Sequence, residues 1–179
     1  SLCWFCGCTT VITSQHREGT GYLDYLDREM ALFCEGGIGN RKIVQMHLGG
    51  GTPTFLQPDE IKRLGSIIHR HFGETEGCEA GVEVDPRRLT KEHVTALWEA
   101  GFNRASMGVQ DNNAKVQKAV NRIQPMDITR ASVNWLRETG FESINIDLIY
   151  GLPFQTESSF EKTLDEIMGL SPNRFAVFS

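Results

Sequence analysis

Two hydrophobic rhythms alternate along the chain. Short β-branched and apolar stretches at residues 42–48, 80–84, 104–109, 143–150 and 174–178 read as strands. Between them apolar residues recur at helical spacing. Leu23, Leu26, Met30 and Phe33 share one face, and Ile61, Leu64, Ile67 and Ile68 share the next. Val94, Leu97 and Trp98 form a third stripe, with Thr90 as an N-cap and Gly101 as the residue past its end. A short helical stretch covers residues 116–120. Ile128, Ala131, Trp135 and Leu136 form a further stripe opened by Asp127 and closed by Gly140. The last, through Phe160, Leu164, Ile167 and Met168, stops before Pro172.

Strand alternating with helix predicts parallel βαβ units of about 30 residues each. A weak repeat supports this: Trp98-Glu99-Ala100-Gly101-Phe102 and Arg137-Glu138-Thr139-Gly140-Phe141 each end a helix on glycine and lead through an aromatic into a strand. Repeated βα units suit a barrel or a solenoid. No linker or low-complexity stretch interrupts residues 1–179, so an α/β fold of one domain is expected.

Composition agrees, with 40% hydrophobic and 23% charged residues in 179, enough to bury a core without disulfide staples. The formal net charge of −5 and the lack of a basic run argue against nucleic acid as partner. No apolar run reaches the roughly 18–20 residues that span a bilayer. Three of the five cysteines fall within the first eight residues, too close for a long-range disulfide framework. That usage suits a reducing, cytoplasmic setting. Cys34 and Cys78 read as ordinary thiols.

The polar residues change the picture from a scaffold to a site. In Cys3-Trp4-Phe5-Cys6-Gly7-Cys8 the loop between Cys3 and Cys6 can turn two sulfurs toward one metal or cluster. Four successive strand ends then carry glycines, acids or amides, and in a β/α barrel chemistry sits at those ends. They are Gly49-Gly50-Gly51-Thr52-Pro53, Glu83-Val84-Asp85-Pro86, Gly108-Val109-Gln110-Asp111, and Asp147 ahead of Gly151-Leu152-Pro153. The glycines serve either a tight turn or a ligand lying on bare backbone, and they match neither phosphate-loop pattern. Glu83 and Asp85 can accept from ammonium or ribose hydroxyls, or be satisfied carboxylates at strand ends. Asp147 lies in an apolar run, where an unpaired charge is costly, so it is expected to face inward and to function. Arg122 taken alone reads as a surface arginine. His47, His69, His71 and His93 have no metal-ligand spacing with the cysteines, and His69 and His71 read as solvated residues of a helix end. No serine sits in a nucleophile elbow.

Together these segments resemble the oxygen-independent coproporphyrinogen III oxidase family, radical S-adenosylmethionine enzymes of haem synthesis. The cysteine segment is similar to the second half of that family's C-x-x-x-C-x-F-C-x-C motif. The likeness continues through Gly49–Pro53, residues 83–87, 106–111, 120–122 and 145–153, across essentially the whole chain. The resemblance implies a partial TIM-type (β/α)6 barrel. It also implies a [4Fe–4S] cluster ligated by Cys3 and Cys6, and S-adenosylmethionine at two neighbouring positions. Phe5, Gly50, Gly51, Thr52, Glu83, Gln110, Arg122 and Asp147 would contact S-adenosylmethionine, and Cys8 would be a functional thiol that ligates nothing. The reaction implied is oxidative decarboxylation of porphyrinogen propionates to vinyl groups by a 5′-deoxyadenosyl radical, with a reducing electron donor as partner.

Two other readings compete. A related haem chaperone would bind and transfer haem, but the Cys6-Gly7-Cys8 triplet and Asn121-Arg122-Ile123-Gln124 favour the oxidase. A structural zinc site on Cys3, Cys6 and Cys8 lacks a second ligand pair. The family's first motif cysteine would lie four residues before Cys3, along with the first barrel strand, and its C-terminal part would follow Ser179. The 179 residues therefore read as an internal fragment beginning at a cut before Ser1. Such a piece is expected not to assemble a normal cluster alone. Anaerobic reconstitution with iron and sulfide checks this, and a stable S-adenosylmethionine-responsive cluster would contradict it.

Overall fold

The computed structural model describes residues 2–8, 13, 15, 17–37, 41–73 and 77–179 (of Arg17, the backbone only). Ser1, where the sequence suggests a cut, lies outside them.

Helix α1 (Arg17–Glu35) leads into β1 (Gln45–Leu48), and a 3-10 turn at Pro53–Phe55 leads into α2 (Pro58–Phe72). Then follow β2 (Glu79–Val84), α3 (Lys91–Glu99), β3 (Arg104–Gln110), α4 (Ala114–Ala119), α5 (Met126–Thr139), β4 (Ser143–Ile149), α6 (Glu157–Met168) and β5 (Arg174–Phe178). The strands pair in parallel in the order β1-β2-β3-β4-β5. The (β/α)6 barrel expected from the resemblance is thus represented among the described residues by an open five-stranded sheet. The solenoid alternative is not needed to explain it.

Strand periodicity explains how the sheet is used. Val82, Val84, Ala105, Met107, Val109, Ile144, Ile146 and Leu148 are buried in one continuous core with Leu64, Leu97 and Leu136 of the helices. The alternate positions, among them Glu83, Ser106, Asn145 and Asp147, face the other way. Polar residues therefore line one face of the sheet while apolar ones are buried against helices.

The repeated unit is real in structure. Gly101 (φ +94°) and Gly140 (φ +113°) occupy the left-handed region just past α3 and α5. The amides of Phe102 and Phe141 then donate to Leu97 and Leu136 carbonyls, both at 3.0 Å, and each ring is buried. Thr90 caps α3 by accepting from the His93 amide.

Several expectations need correction. Phe33 and Met168, which complete apolar stripes in the sequence, are exposed, and so in part is Trp98. The Trp98 ring instead covers Gly140 and lies 5.8 Å from the Phe141 ring. His71 is not solvated: its Nε2 lies 2.6 Å from Asp27 Oδ1, fastening α2 to α1. No described helix is long and apolar enough to cross a membrane.

Gly65 marks the closest approach of α2 and α3, since a Cβ there would fall 2.8 Å from both Cα and Cβ of Ala100. Gly65→Ala is expected to destabilise the fold by about 1–3 kcal/mol through overpacking, outweighing the roughly 1 kcal/mol that alanine gains over glycine in a helix. A urea midpoint above wild type would contradict this.

Candidate functional site

The parallel order puts every strand's C-terminal end on one rim, and the cysteine loop is fastened there. Trp4 N donates to Val120 O at 3.1 Å, and Asn121 Nδ2 donates to Leu2 O at 2.8 Å. Cys6 N donates to Cys3 O at 3.1 Å, closing the turn that separates the two cysteines. Phe5 packs with Val116, Val120 and Leu152 in a small apolar cluster apart from the main core. Residues 2–6 are thus tied to the end of α4 by one backbone bond, the Asn121 side chain and an aromatic plug.

Arg122 joins this loop to the sheet. It is buried, not the surface arginine its local sequence suggests. Nη1 donates to Cys3 Sγ at 3.6 Å, Nη2 donates to Gly108 O at 2.5 Å, and Nη2 lies 3.7 Å from Asp85 Oδ1. Space is tight at Gly108, where a Cβ would sit 2.6 Å from Gln110 Nε2 and 3.1 Å from Arg122 Nη2. Arg122 Nε and Gln110 Oε1 are buried and unpartnered. Gln110 itself holds φ +70°, beside a register shift between Gly108 and Gln110.

Gly50 has φ +114° and open space where a Cβ would stand. At Gly49 a Cβ would meet Glu83 Oε1 and His47 Nε2, both at 3.0 Å, so the glycine run passes directly beside Glu83. Thr52 Oγ1 bonds the Gly51 carbonyl at 2.6 Å. Glu83 lies 3.4 Å from His47 Nε2. Asp147 accepts from Asn145 Nδ2 at 2.7 Å and from Ser106 Oγ at 3.3 Å. Ser106 and Asn145 were not singled out from the sequence. Their signal was there in the period of two, which puts Asn145 on the same face as Asp147.

The electrostatics separate the two aspartates. Burial pushes the Asp147 carboxyl up, only partly opposed by Asn145 and Ser106, and nearby Glu83 raises it further. For Asp85 burial acts upward too, but the Arg87 hydrogen bond and the charges of Arg122 and Arg87 overcome it and hold the carboxyl low. Asp85 is therefore saturated rather than a waiting acceptor: Arg87 Nε and Nη2 donate to it at 2.9 and 2.7 Å. The Cys6 sulfur, by hydrogen bond and then by charge, raises the neighbouring Cys8 thiol, with burial and Glu83 adding to the shift. None of the five cysteines forms a disulfide. His93 is a buried residue of α3, and burial lowers its pKa toward the neutral ring.

A cleft of 420 Å³ lies on the polar sheet face but nearer the strand starts, lined by Gln45, Glu79, Arg104 and Arg174 among others. The glycines and cysteines gather at the opposite ends of the strands, where the chemistry of the residues, not the size of the hollow, identifies the site.

The sequence profile of the radical SAM superfamily matches residues 1–167. The chain belongs to the radical SAM superfamily. The radical SAM chain is also 44% identical, over its whole length, to the oxygen-independent coproporphyrinogen III oxidase of Helicobacter pylori J99, of which it covers 39%. It is 44% identical over 99% of its length to the Escherichia coli K12 protein of that name, again covering 39% of it. The solved E. coli coproporphyrinogen III oxidase superposes with a TM-score of 0.92 over 99% of this chain and 41% of that one. A radical SAM methyltransferase from Kitasatospora setae, 15% identical, shares the fold at a TM-score of 0.68. The chain thus spans about two fifths of the length of the oxidases it matches.

Family membership implies a [4Fe–4S] cluster and S-adenosylmethionine, and the residues present fit both. Thiols are the donors an iron–sulfur cluster takes, and Cys3 and Cys6 offer two on one turn. Among the described residues no group of three or more His, Cys, Asp or Glu converges. A ligand with ammonium, carboxylate and ribose hydroxyl groups would meet Glu83 and Asp147, the unpartnered atoms of Gln110 and Arg122, and open backbone at Gly50.

Since the folded-state pKa of Asp147 is raised, ionisation penalises the fold above that pKa, and the penalty fades as pH falls toward the unfolded value. Asp147→Asn is accordingly expected to raise the melting temperature at pH 8 and to lose that advantage progressively toward pH 4. A gain that grows on acidification would contradict the assignment.

Proposed function

We propose that this chain carries the catalytic centre of an oxygen-independent coproporphyrinogen III oxidase, forming one domain over residues 1–179. In this reading Cys3 and Cys6 ligate the cluster and Cys8 is a nearby thiol that does not. The Gly50-Gly51-Thr52 backbone receives the methionyl end of S-adenosylmethionine. The Arg122 guanidinium suits a carboxylate. Glu83 and Asp147 suit ammonium and hydroxyl donors, and Gln110 completes the lining with Phe5. The observation that carries the reading is the hydrogen bond of buried Arg122 to Cys3, which links the cysteine loop to the polar strand ends. Identity to the oxidases over the entire chain supports it.

When bound, the cluster and S-adenosylmethionine supply reductive cleavage of the sulfonium to a carbon-centred radical able to take hydrogen from an unactivated C–H bond. The chain's own residues bind and orient. Buried Arg122 and half-buried Asp147 act with little water to screen them, so their contacts to a charged ligand are stronger than at an open surface. The substrate in this reading is the porphyrinogen. One hydrogen atom is taken from a propionate side chain, the carboxyl leaves as carbon dioxide, and the remaining electron passes to an acceptor, leaving a vinyl group. A separate donor supplies the electron for sulfonium cleavage. A reducing cytoplasm, where thiols persist, suits the three cysteines.

The holoenzyme is expected to convert coproporphyrinogen III to protoporphyrinogen IX anaerobically while consuming S-adenosylmethionine. Cys6→Ser is expected to abolish cluster absorbance and turnover together. Glu83→Gln is expected to weaken S-adenosylmethionine about 10- to 100-fold, the worth of one charged hydrogen bond. Stoichiometric haem binding without vinyl formation would replace this reading with haem transfer.

A further inference from the structure

One buried polar side chain on α4 is absorbed by none of the roles above. Gln117 Nε2 donates to Asp111 O at 2.9 Å and to Gln124 O at 2.8 Å, and its Oε1 accepts from Gln124 N at 2.9 Å. Asp111 directly follows β3, and Gln124 belongs to the loop between α4 and α5. The same loop carries Arg122, whose amide donates to the Gln117 carbonyl at 2.8 Å. Gln117 therefore holds the loop on both flanks of Arg122 and ties it to the end of β3, beside Gln110. Gln110, Gln117 and Arg122 line one small hollow together with Leu152.

A glutamine that merely closed the turn after α4 would not need this arrangement. The turn is already made by Val120 N donating to Val116 O at 3.1 Å and Asn121 N donating to Lys118 O at 3.3 Å. Asn121 takes φ +54°, a conformation that asparagine tolerates better than most residues. What the Gln117 carboxamide adds is a link between elements, from the loop to the strand end. The Arg122 side chain spans the same gap, with Nη2 on Gly108 O at 2.5 Å. With its main chain fixed relative to β3, the guanidinium keeps little freedom in where it points. A long side chain ordered beforehand does not lose that freedom again when a ligand binds.

Resting on the assignment of Arg122 to S-adenosylmethionine, we propose that Gln117 is a positioning residue that aims the Arg122 guanidinium at the carboxylate of that ligand. The physical basis is general. A binding group works when its support holds it to within about 0.5 Å of the productive geometry. Gln117 supplies that support through three hydrogen bonds of its carboxamide, and all of them go to backbone.

The test is S-adenosylmethionine affinity of the anaerobic holoenzyme, measured by equilibrium dialysis as a double-mutant cycle with Arg122. Gln117→Met keeps the length of the side chain and removes its donors and acceptor. It is expected to weaken S-adenosylmethionine about 10-fold, the scale of one hydrogen bond to a charged group. In an Arg122→Met background the same change is expected to cost little, because the aimed group is gone. Gly65→Ala, which crowds α2 against Ala100 instead, is expected to leave the affinity at wild type. Gln117→Asn and Arg122→Lys close the cycle where a methionine variant does not fold or hold a cluster. Equal losses with and without the Arg122 guanidinium overturn the proposal, as does wild-type affinity in a folded Gln117→Met. Loss of the cluster-loaded fold in both Gln117 variants would make Gln117 a structural prop and also overturn it. Wild-type affinity in a cluster-loaded Arg122 variant, or cluster loss in both, would instead remove the underlying assignment of Arg122.

Discussion

Parallel pairing in sequence order is the constraint on which the rest of the molecule depends. Each strand must return to the same starting edge through a crossover, so every C-terminal strand end emerges on one rim. Glu83, Gln110 and Asp147 are far apart in sequence and could not otherwise share a site. The crossover helices also dictate composition. They bury Val82, Met107 and Ile146 on their side of the sheet, which leaves the other face free to carry charges. Polarity on that face is tolerated because the core lies between the helices and the opposite face of the sheet.

The rim then faces an electrostatic problem. A buried guanidinium without partners would be very costly, and removing one partner of a buried ion pair leaves an uncompensated charge. Arg122 meets this with the Gly108 carbonyl, the Cys3 sulfur and the nearby Asp85 carboxylate, while its Nε keeps no partner in the chain. That open position stands next to a second one, the unpartnered Gln110 Oε1. The cysteine loop, the end of β2 and the middle of β3 are thereby coupled through one side chain.

Much of this was legible in the sequence where the signal is local. Thr90, Gly101 and Gly140 mark helix ends because capping and left-handed geometry are properties of one residue and its neighbours. Strands of period two put Asp147 on the polar face for the same reason. What could not be read was pairing across the chain. Arg122 follows a short helix and looks exposed until residues 2–6 are laid over it. His71 looks solvated until α1 brings Asp27 to it, 44 residues away in sequence. Asp85 reads as an acceptor until Arg87, only two residues on, folds back and saturates it. Trp98 fits the apolar stripe but covers a glycine at the edge of the core instead. The family resemblance groups these residues as a set, whereas local chemistry alone reads Arg122 as a surface residue.

Positive φ at Gln110 is the last piece, because a residue with a side chain is strained there by about 1–3 kcal/mol and must be held from outside. The support is Asp111, whose almost fully buried carboxylate accepts from Asn113 N at 2.6 Å, Gln155 Nε2 at 2.5 Å and Thr163 Oγ1 at 3.2 Å. Gln155 in turn receives Gly151 N at 2.7 Å and donates to Ile149 O at 3.0 Å, so the loops after β3 and β4 are locked together. None of these bonds involves the Gln110 side chain, whose Oε1 remains unpartnered. Strain fixed in advance does not have to be met when a ligand arrives, which is the advantage of preorganisation. The division is the same as at Arg122: most polar groups are satisfied within the chain and set the geometry, while Arg122 Nε and Gln110 Oε1 keep no partner.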